Sequence, residues 1–137
     1  MIHQIVRTAS KYEDSESFVR ALTVGDWIFV SHCAGRDYTT GFMSDTVEGQ
    51  TKQALLNVQN ALEAVGATLE DVVHRVATIP RVEQAAEVMS IVGEAFRNAN
   101  ATNTVTCAPL GGPDYVLEIE VTAYRGFGQA EKQVITI

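Results

Sequence analysis

Two glutamates near the C-terminal end have the clearest potential for chemistry. Residues 116–123 read Val-Leu-Glu-Ile-Glu-Val-Thr-Ala, a run of strand-forming residues without Pro or Gly, which predicts a β-strand. Side chains alternate between the two faces of a strand, so Glu118 and Glu120 share one face while Leu117, Ile119 and Val121 share the other. The glutamate face is either solvated or places a carboxylate in a cleft beside a polarised substrate.

Histidine and cysteine supply further candidate groups. Histidine is the residue type whose ordinary pKa lies nearest neutral pH, which suits it to acid–base chemistry. His32 follows a predicted strand, so it is either a cleft residue or a surface histidine. Cys33 and Cys107 could act as nucleophiles, although small buried cysteines are usually unreactive. The three histidines, His3, His32 and His74, do not have metal-ligand spacing, which argues against a metal site.

The elements that must position these residues follow from the hydrophobic pattern. Strand-forming runs predict six strands, at residues 2–8, 18–23, 27–31, 72–79, 102–108 and 115–124. Apolar residues at spacings of three and four predict two helices, at 46–65 and 82–98. The order β-β-β-α-β-α-β-β favours an α+β domain with one mixed sheet and both helices on one face.

Capping and turn residues refine this outline. Gly25-Asp26 predicts a hairpin turn, and 67–71 predicts a capped single turn. Residues 11–16 and 32–44 are predicted to be loops, the second being long enough to be functional. Ser44 or Asp45 is the expected N-cap of the first helix, and Gly66 is its expected C-terminal stop.

Composition limits the class of protein. The 137 residues suit a single domain, 1–137, and the net charge of −7 disfavours binding to DNA or RNA. No signal peptide or membrane-spanning run is recognisable, and two cysteines are too few for a disulfide scaffold, so a cytoplasmic location is expected. Because the apolar run 27–30 needs cover on both sheet faces, a homo-oligomer is expected.

Five segments together resemble one known family. They are Gly25-Asp26 before Ile28-Phe29-Val30-Ser31, the helical stretch 50–58, the segment 62–67, the segment 69–73, and Leu110 followed by 117–123. In order and spacing they resemble the YjgF/RidA family of reactive-intermediate deaminases, once labelled L-PSP endoribonucleases.

The resemblance implies a fold and a reaction. The fold is chorismate-mutase-like, and three subunits form a homotrimer around a central barrel with ligand clefts between neighbours. The activity is hydrolysis of small enamines or imines, such as 2-aminoacrylate, to a keto acid and ammonia, without metal or organic cofactor. In this family a glutamate of the last strand positions the attacking water, and an arginine holds the substrate carboxylate.

Carried over residue by residue, the resemblance assigns candidate site residues. The glutamate maps onto Glu120 and a strand-end serine onto Ser31, which are the candidate catalytic residues. The candidate substrate-binding residues are Phe18 in place of a tyrosine, His32 in place of a glycine, Thr102 or Asn103 in place of the arginine, and Cys107.

The chain therefore resembles an arginine-less branch of the family. Threonine and asparagine are neutral and offer fewer donors than a guanidinium, so little activity on 2-aminoacrylate is expected. Arg36, Arg75, Arg81 and Arg125 are alternative anion holders. One hypothesis is a deaminase or hydrolase that acts on a different small polar metabolite. The alternative is a non-catalytic trimer that binds a metabolite or a partner protein, and a ribonuclease is least compatible with the charge.

Overall fold

A computed structural model describes residues 2–137, in which six strands form one mixed sheet in the order β1-β2-β3-β6-β4-β5. The strands are β1 Ile5–Val6, β2 Ala21–Val24, β3 Trp27–Ala34, β4 Val72–Thr78, β5 Thr102–Thr106 and β6 Glu118–Tyr124. The helices are α1 Lys11–Ser15, α2 Val47–Glu63 and α3 Ala85–Ala95, with 3-10 turns at Leu69–Asp71, Val82–Gln84 and Phe127–Gln129.

The two long helices and the sheet enclose the core. Strands β4 and β5 are parallel, and the other neighbouring pairs are antiparallel. Ile119, Val121 and Ala123 alternate along β6 as fully or almost fully buried residues. They pack in one cluster with the apolar stripe of α2, which includes Val58 and Leu62. The predicted arrangement, with one mixed sheet and both long helices on one face, is confirmed.

Local capping explains where α2 begins and ends. Thr46 is the N-cap, since its Oγ1 accepts a hydrogen bond from the Gly49 amide at 3.0 Å. The predicted N-caps were Ser44 and Asp45, and that prediction is wrong because Ser44 Oγ bonds Thr46 instead. Gly66 has a φ of +78°, a left-handed conformation suited to glycine, as predicted for the C-terminal stop.

One loop prediction is wrong, and the other places the start of the loop too early. Residues Lys11–Ser15 form a short helix, and it is anchored because Glu13 is buried and hydrogen-bonded to Thr8. Strand β3 continues to Ala34, so His32 lies within the strand and the loop begins after it. Several other bounds also differ: β1 is much shorter than 2–8, and the second helix divides into a 3-10 turn and α3.

The sheet face away from the helices carries exposed apolar side chains. Val24, Trp27, Phe29 and Tyr124 are 52%, 45%, 46% and 39% exposed, and we call them the apolar sheet patch. The rings of Trp27 and Tyr124 meet edge to face at 5.0 Å between centroids. A single chain therefore leaves uncovered the face that was expected to be covered. Within residues 2–137, no helix has the length and apolar character needed to cross a bilayer.

Candidate functional site

A β-bulge positions the first site residues. Val30 pairs with Val121 and Cys33 pairs with Ile119, so Ser31 and His32 on β3 lie opposite the single residue Glu120 on β6. An extra residue in one strand redirects the side chains at the bulge. Cys33 therefore returns to the helix-facing side, where it is fully buried.

His32 is the centre of a polar chain across the sheet. Its Nε2 lies 3.1 Å from Thr78 Oγ1, which in turn lies 3.0 Å from Thr106 Oγ1. The Glu120 Oε1 is 3.8 Å from the same nitrogen. Among residues 2–137 the buried Nδ1 has no hydrogen-bond partner. One imidazole nitrogen is thus held by the sheet, while the other is buried without a hydrogen-bond partner among these residues.

A cavity of about 190 Å³ lies where β3 ends and β6 begins. At about 30 Å³ for each water molecule in the liquid, this volume equals about six waters, which suits a small metabolite. Its polar and aromatic lining combines both charge signs and includes Phe18, Arg20, His32, Arg36, Tyr38 and Glu118.

Glu118 is one of two carboxylates that line this cavity, the other being Glu16. It pairs with Ala34 on one side and with Thr78 on the other. Burial raises the pKa of the Glu118 carboxyl, while the nearby His32 and Arg20 lower it and Glu16 raises it further. A carboxyl whose pKa is raised toward neutrality can accept and return a proton, which is the property that general acid–base catalysis needs.

Arg20 forms a buried ion pair behind the cavity wall. Its Nη2 lies 3.3 Å from Glu13 Oε2, and the two side chains are 3% and 2% exposed. Its Nη1 donates to the His32 carbonyl at 2.8 Å, and its guanidinium lies over the Tyr38 ring at 4.3 Å. The Nε is buried and has no hydrogen-bond partner among residues 2–137.

Of the four arginines proposed as anion holders, Arg36 lines the cavity. Arg75 Nε donates to Asn103 Oδ1 at 3.0 Å, and Arg81 donates to the carbonyls of Pro113 and Tyr115 at 3.0 and 3.1 Å. Arg125 pairs with Asp26 at 2.9 Å. These three brace the fold outside the cavity.

The predicted catalytic residues lie beside the cavity. Glu120 is on the same sheet face as Glu118, as predicted, but its side chain is 49% exposed and it is not part of the cavity lining. The Ser31 hydroxyl donates to the Val19 carbonyl at 2.7 Å, so it fastens β3 to the segment before β2. Their catalytic roles stay predictions.

The predicted substrate-binding residues divide into two groups. Phe18 and His32 line the cavity. The Thr102 hydroxyl lies 2.7 Å from His74 Nδ1. His74 is four residues before Thr78 on β4, which separates the two residues by about 13 Å at about 3.3 Å per residue. Asn103 lies next to it, and the exposed Cys107 donates to the Pro80 carbonyl at 3.3 Å. A single chain does not bring this second group to the cavity.

Sequence reasoning did not identify Arg20 or Glu118 as site residues. A signal for Arg20 was present, because it is a charged residue between Val19 and Ala21 in an apolar run. Glu118 was recognised as sharing a face with Glu120, but alternation alone cannot tell which carboxylate is nearer a cavity. Glu118 is the first residue of β6 and therefore lies at the edge of the cavity, whereas Glu120 lies two residues further along the strand.

Comparison with known proteins gives one family. The family model described as endoribonuclease L-PSP matches residues 8–125. A RutC family protein from Pyrococcus abyssi is 25% identical over 126 residues, covering 91% of this chain and 99% of the relative. A 2-iminobutanoate/2-iminopropanoate deaminase from Bos taurus is 26% identical over 130 residues, covering 92% of this chain and 93% of the relative.

Solved structures agree with this. A YjgF/YER057c/UK114 family member from Mycobacterium tuberculosis is similar with a TM-score of 0.81 and 27% identity, covering 90% of this chain and 99% of that one. E. coli TdcF with bound serine is similar with a TM-score of 0.69 and 25% identity, covering 79% and 87% of the two chains.

Proposed function

The chain belongs to the endoribonuclease L-PSP family, also known as YjgF/RidA, and on that premise we propose that it hydrolyses a small enamine or imine to a carbonyl compound and ammonia. The observation that carries this proposal is the cavity at the start of β6, which is lined by the Glu118 carboxyl, whose pKa is raised, and by the His32 imidazole, whose Nδ1 has no hydrogen-bond partner among residues 2–137. The deaminase name of the bovine relative supports the same reaction class.

The proposed chemistry uses the residues of the cavity. Ionised Glu118 accepts a proton from a water molecule as the water oxygen forms a bond to the C=N carbon. Glu118 passes this proton to the imine nitrogen, which gives a neutral carbinolamine. Glu118 then carries the proton of the carbinolamine hydroxyl to the amine, so that C=O forms as the C–N bond breaks and ammonia leaves. His32, whose side chain lines the cavity, orients the water or the leaving nitrogen. Glu120, 3.8 Å from the other imidazole nitrogen, is the positioning residue for His32.

The substrate is proposed to differ from 2-aminoacrylate in how its anionic group is held. Thr102 and Asn103 are neutral and hydrogen-bonded to His74 and Arg75. Neither side chain is a guanidinium, and the neighbouring Arg75 already uses its Nε to donate to Asn103 Oδ1. A substrate carboxylate that depends on a free bidentate guanidinium there would be bound poorly. Turnover of 2-aminoacrylate is therefore expected to be slow.

A homotrimer is part of the proposal. The apolar sheet patch defined above is a contiguous exposed surface of the kind that marks an interface. A neighbouring subunit would also be the source of Thr102, Asn103 and Cys107 for a cleft that also contains Phe18 and His32. We also propose a small polar metabolite as the ligand. A reducing, cytoplasmic location is proposed because both cysteines are free thiols.

The second candidate is a non-catalytic trimer that binds a metabolite or a partner protein. The observation that favours it is the neutral pair Thr102 and Asn103 where the family resemblance places an arginine. Binding without turnover would leave the cavity and the trimer as they are, so only a kinetic measurement separates the two candidates.

Imine turnover can be measured directly. Imines would be generated in the assay by an L-amino-acid oxidase from a panel of amino acids, and unreacted imine would be trapped with semicarbazide. Wild type should lower trapping for at least one member of the panel. Glu118→Gln should reduce the rate about 10²- to 10⁴-fold, the range for loss of a general acid–base group.

Matched variants make the result specific. Glu120→Gln tests the assignment made from the sequence, and it should reduce the rate less than Glu118→Gln because it acts through His32. Glu87→Gln changes an exposed carboxylate on α3 and should have no effect. Absence of turnover across the panel would favour the non-catalytic candidate. If Glu120→Gln loses turnover while Glu118→Gln retains it, Glu120 and not Glu118 is the general base.

A further inference from the structure

The segment 130–137 carries apolar side chains that its own chain leaves uncovered. It reads Ala-Glu-Lys-Gln-Val-Ile-Thr-Ile, and we call it the apolar tail. Val134, Ile135 and Ile137 are each at least 75% exposed. The family model matches residues 8–125, so the tail lies outside the part of the chain that matches the family. Neither the hydrophobic core nor the lining of the proposed substrate cavity includes it.

The root of the tail is fixed against the body of the chain. The Gly128 amide donates to Oδ1 of the buried Asp71 at 2.9 Å. The Lys132 Nζ donates to the carbonyls of Gly128 and Ala130 at 3.3 and 2.9 Å, and it lies 4.6 Å from the centroid of the Phe127 ring. The tail therefore leaves the chain at a defined place, and its apolar residues follow this anchored root.

A groove between α2 and α3 begins at the same place. Gln129, immediately before the tail, lines a depression of about 420 Å³. A second depression of about 600 Å³ shares Gln59, Leu69 and Ala95 with the first and continues along the two helices. We call the two depressions together the helix groove. Its apolar lining consists of Leu55, Leu56, Leu69, Ile91, Ala95 and Ala99.

The lengths of the tail and the groove match. Helix α2 lines the groove from Glu63 to Glu48, which is a distance of about 22 Å at about 1.5 Å per residue. Residues 131–137 span about 23 Å when they are extended, at about 3.3 Å per residue. Valine, isoleucine and threonine favour that extended conformation.

The charges at the rim of the groove also suit an uncharged apolar segment. Lys52 pairs with Glu48, and Arg97 pairs with Glu94, so these charges are compensated within the chain. Residues 133–137 have no charged side chain. Because each chain has a net charge of −7, two copies repel one another. An uncharged segment can enter the groove of a second copy without adding to that repulsion.

We propose that the apolar tail of one chain docks as an extended segment in the helix groove of a second copy. The tail is not seated in the groove of its own chain, since Ile135 and Ile137 are exposed. Its root adjoins that groove, so a two-fold arrangement of two copies brings both tails to both grooves at once, as in an isologous interface. This contact uses the helix side of the sheet, opposite the apolar sheet patch, and it does not depend on the proposed function.

Alternation along the docked tail determines which residues enter the groove. In an extended segment Ile135 and Ile137 point to one side, and Val134 and Thr136 point to the other. The side with two isoleucines is the more apolar, so it faces the groove and Thr136 faces outward. The contact is smaller than the interface of about 1,200 Å² that a stable complex needs, so a dissociation constant of about 10 µM to 1 mM is expected.

Light scattering at protein concentrations from low micromolar to millimolar tests the docking. The mass of the wild type should rise about twofold or more across this range, from the mass that the sheet patch alone sets. Ile135→Asp and Leu56→Glu should keep the mass of the dilute sample. Thr136→Asp adds the same charge on the outward side of the tail, and Val82→Glu changes an apolar residue that is 71% exposed outside the groove. Both controls should associate as wild type does, and thermal unfolding checks that each variant is folded.

A mixture of two variants separates exchange between copies from docking within one chain. Ile135→Asp has an intact groove and Leu56→Glu has an intact tail, so at high concentration their equimolar mixture should exceed the mass of either variant alone. A wild-type mass that does not change with concentration overturns the proposal, as does an equal rise in all four variants. A mixture that stays at the mass of its components, with a tail that proteases cleave slowly in dilute wild type and rapidly in Leu56→Glu, would assign the tail to its own groove instead.

Discussion

Replacing Glu13 with glutamine should destabilise the protein by about 3 kcal/mol, because it leaves a buried arginine without its counterion. Breaking a buried ion pair by removing one partner typically costs about 3–5 kcal/mol. Here the Arg20 side chain is 3% exposed. Arg20 keeps its bond to the His32 carbonyl and its contact with the Tyr38 ring, which puts the expected loss at the lower end of that range.

The glutamine can retain part of the wild-type contacts. Glu13 accepts hydrogen bonds from the Thr8 amide at 3.0 Å and from the Thr8 hydroxyl, and a glutamine carbonyl can keep one of them. The losses are therefore the charge and one hydrogen bond from Thr8, of which the charge is the larger. In a double variant, Glu13→Gln with Arg20→Met, the unpaired cation is also removed, and most of the stability should return.

Urea unfolding followed by the fluorescence of Trp27, the single tryptophan, measures this at fixed protein concentration. With an m-value of about 1–3 kcal/mol/M, the midpoint should fall by about 1–3 M. Asp14→Asn is the matched control, since Asp14 is the neighbouring residue and its ion pair with Arg7 is largely exposed; its midpoint should not change measurably. Equal midpoint shifts in Glu13→Gln and Asp14→Asn would refute the reasoning.

Four further predictions concern the cavity, two glycines and the assembly. Glu16→Gln removes a charge that raises the pKa of Glu118, so the acid-side loss of kcat/KM, which occurs as Glu118 is protonated, should move to lower pH in a pH–rate profile. Gly35→Ala should destabilise the fold by about 1–3 kcal/mol, because the added Cβ would lie 2.4 Å from a backbone oxygen of α2. A Cβ added at Gly93 on α3 would have no other atom within 4 Å, so Gly93→Ala should stabilise the fold by about 0.5–1 kcal/mol. Thermal unfolding is the assay for both glycine variants. Phe29→Glu should lower the mass seen by light scattering from three chains to one, and an unchanged mass would exclude the apolar sheet patch as the interface.

Much of the fold could be predicted because its signals are local. The period of three and four in α2 and the hairpin at Gly25-Asp26, where Gly25 has a φ of +61°, are readable without tertiary information. The helix at Lys11–Ser15 was missed because Glu13 is polar in sequence yet buried in the fold. Glu13 is buried because it pairs with Arg20, seven residues further along the chain. Hydrophobic periodicity does not predict such a pair.

The candidate site was less predictable for the same reason. His32 was selected from the sequence and lines the cavity. The bulge that directs it becomes visible only in the register of β3 against β6. Glu118 and Glu120 are equivalent by alternation, and their different burial depends on the loop and strand ends around them. Thr102 and Asn103 are separated from the cavity by about the length of β4. A sequence motif gives the order of residues and does not give this distance.

A crystal structure with 2-oxobutanoate bound tests the central claim most directly, namely that the cavity where β3 ends and β6 begins is the substrate site. The ligand should lie with its carbonyl within hydrogen-bond reach of Glu118. Density for the ligand against Thr102 and Asn103, without contact to Glu118, would contradict the assignment of the site.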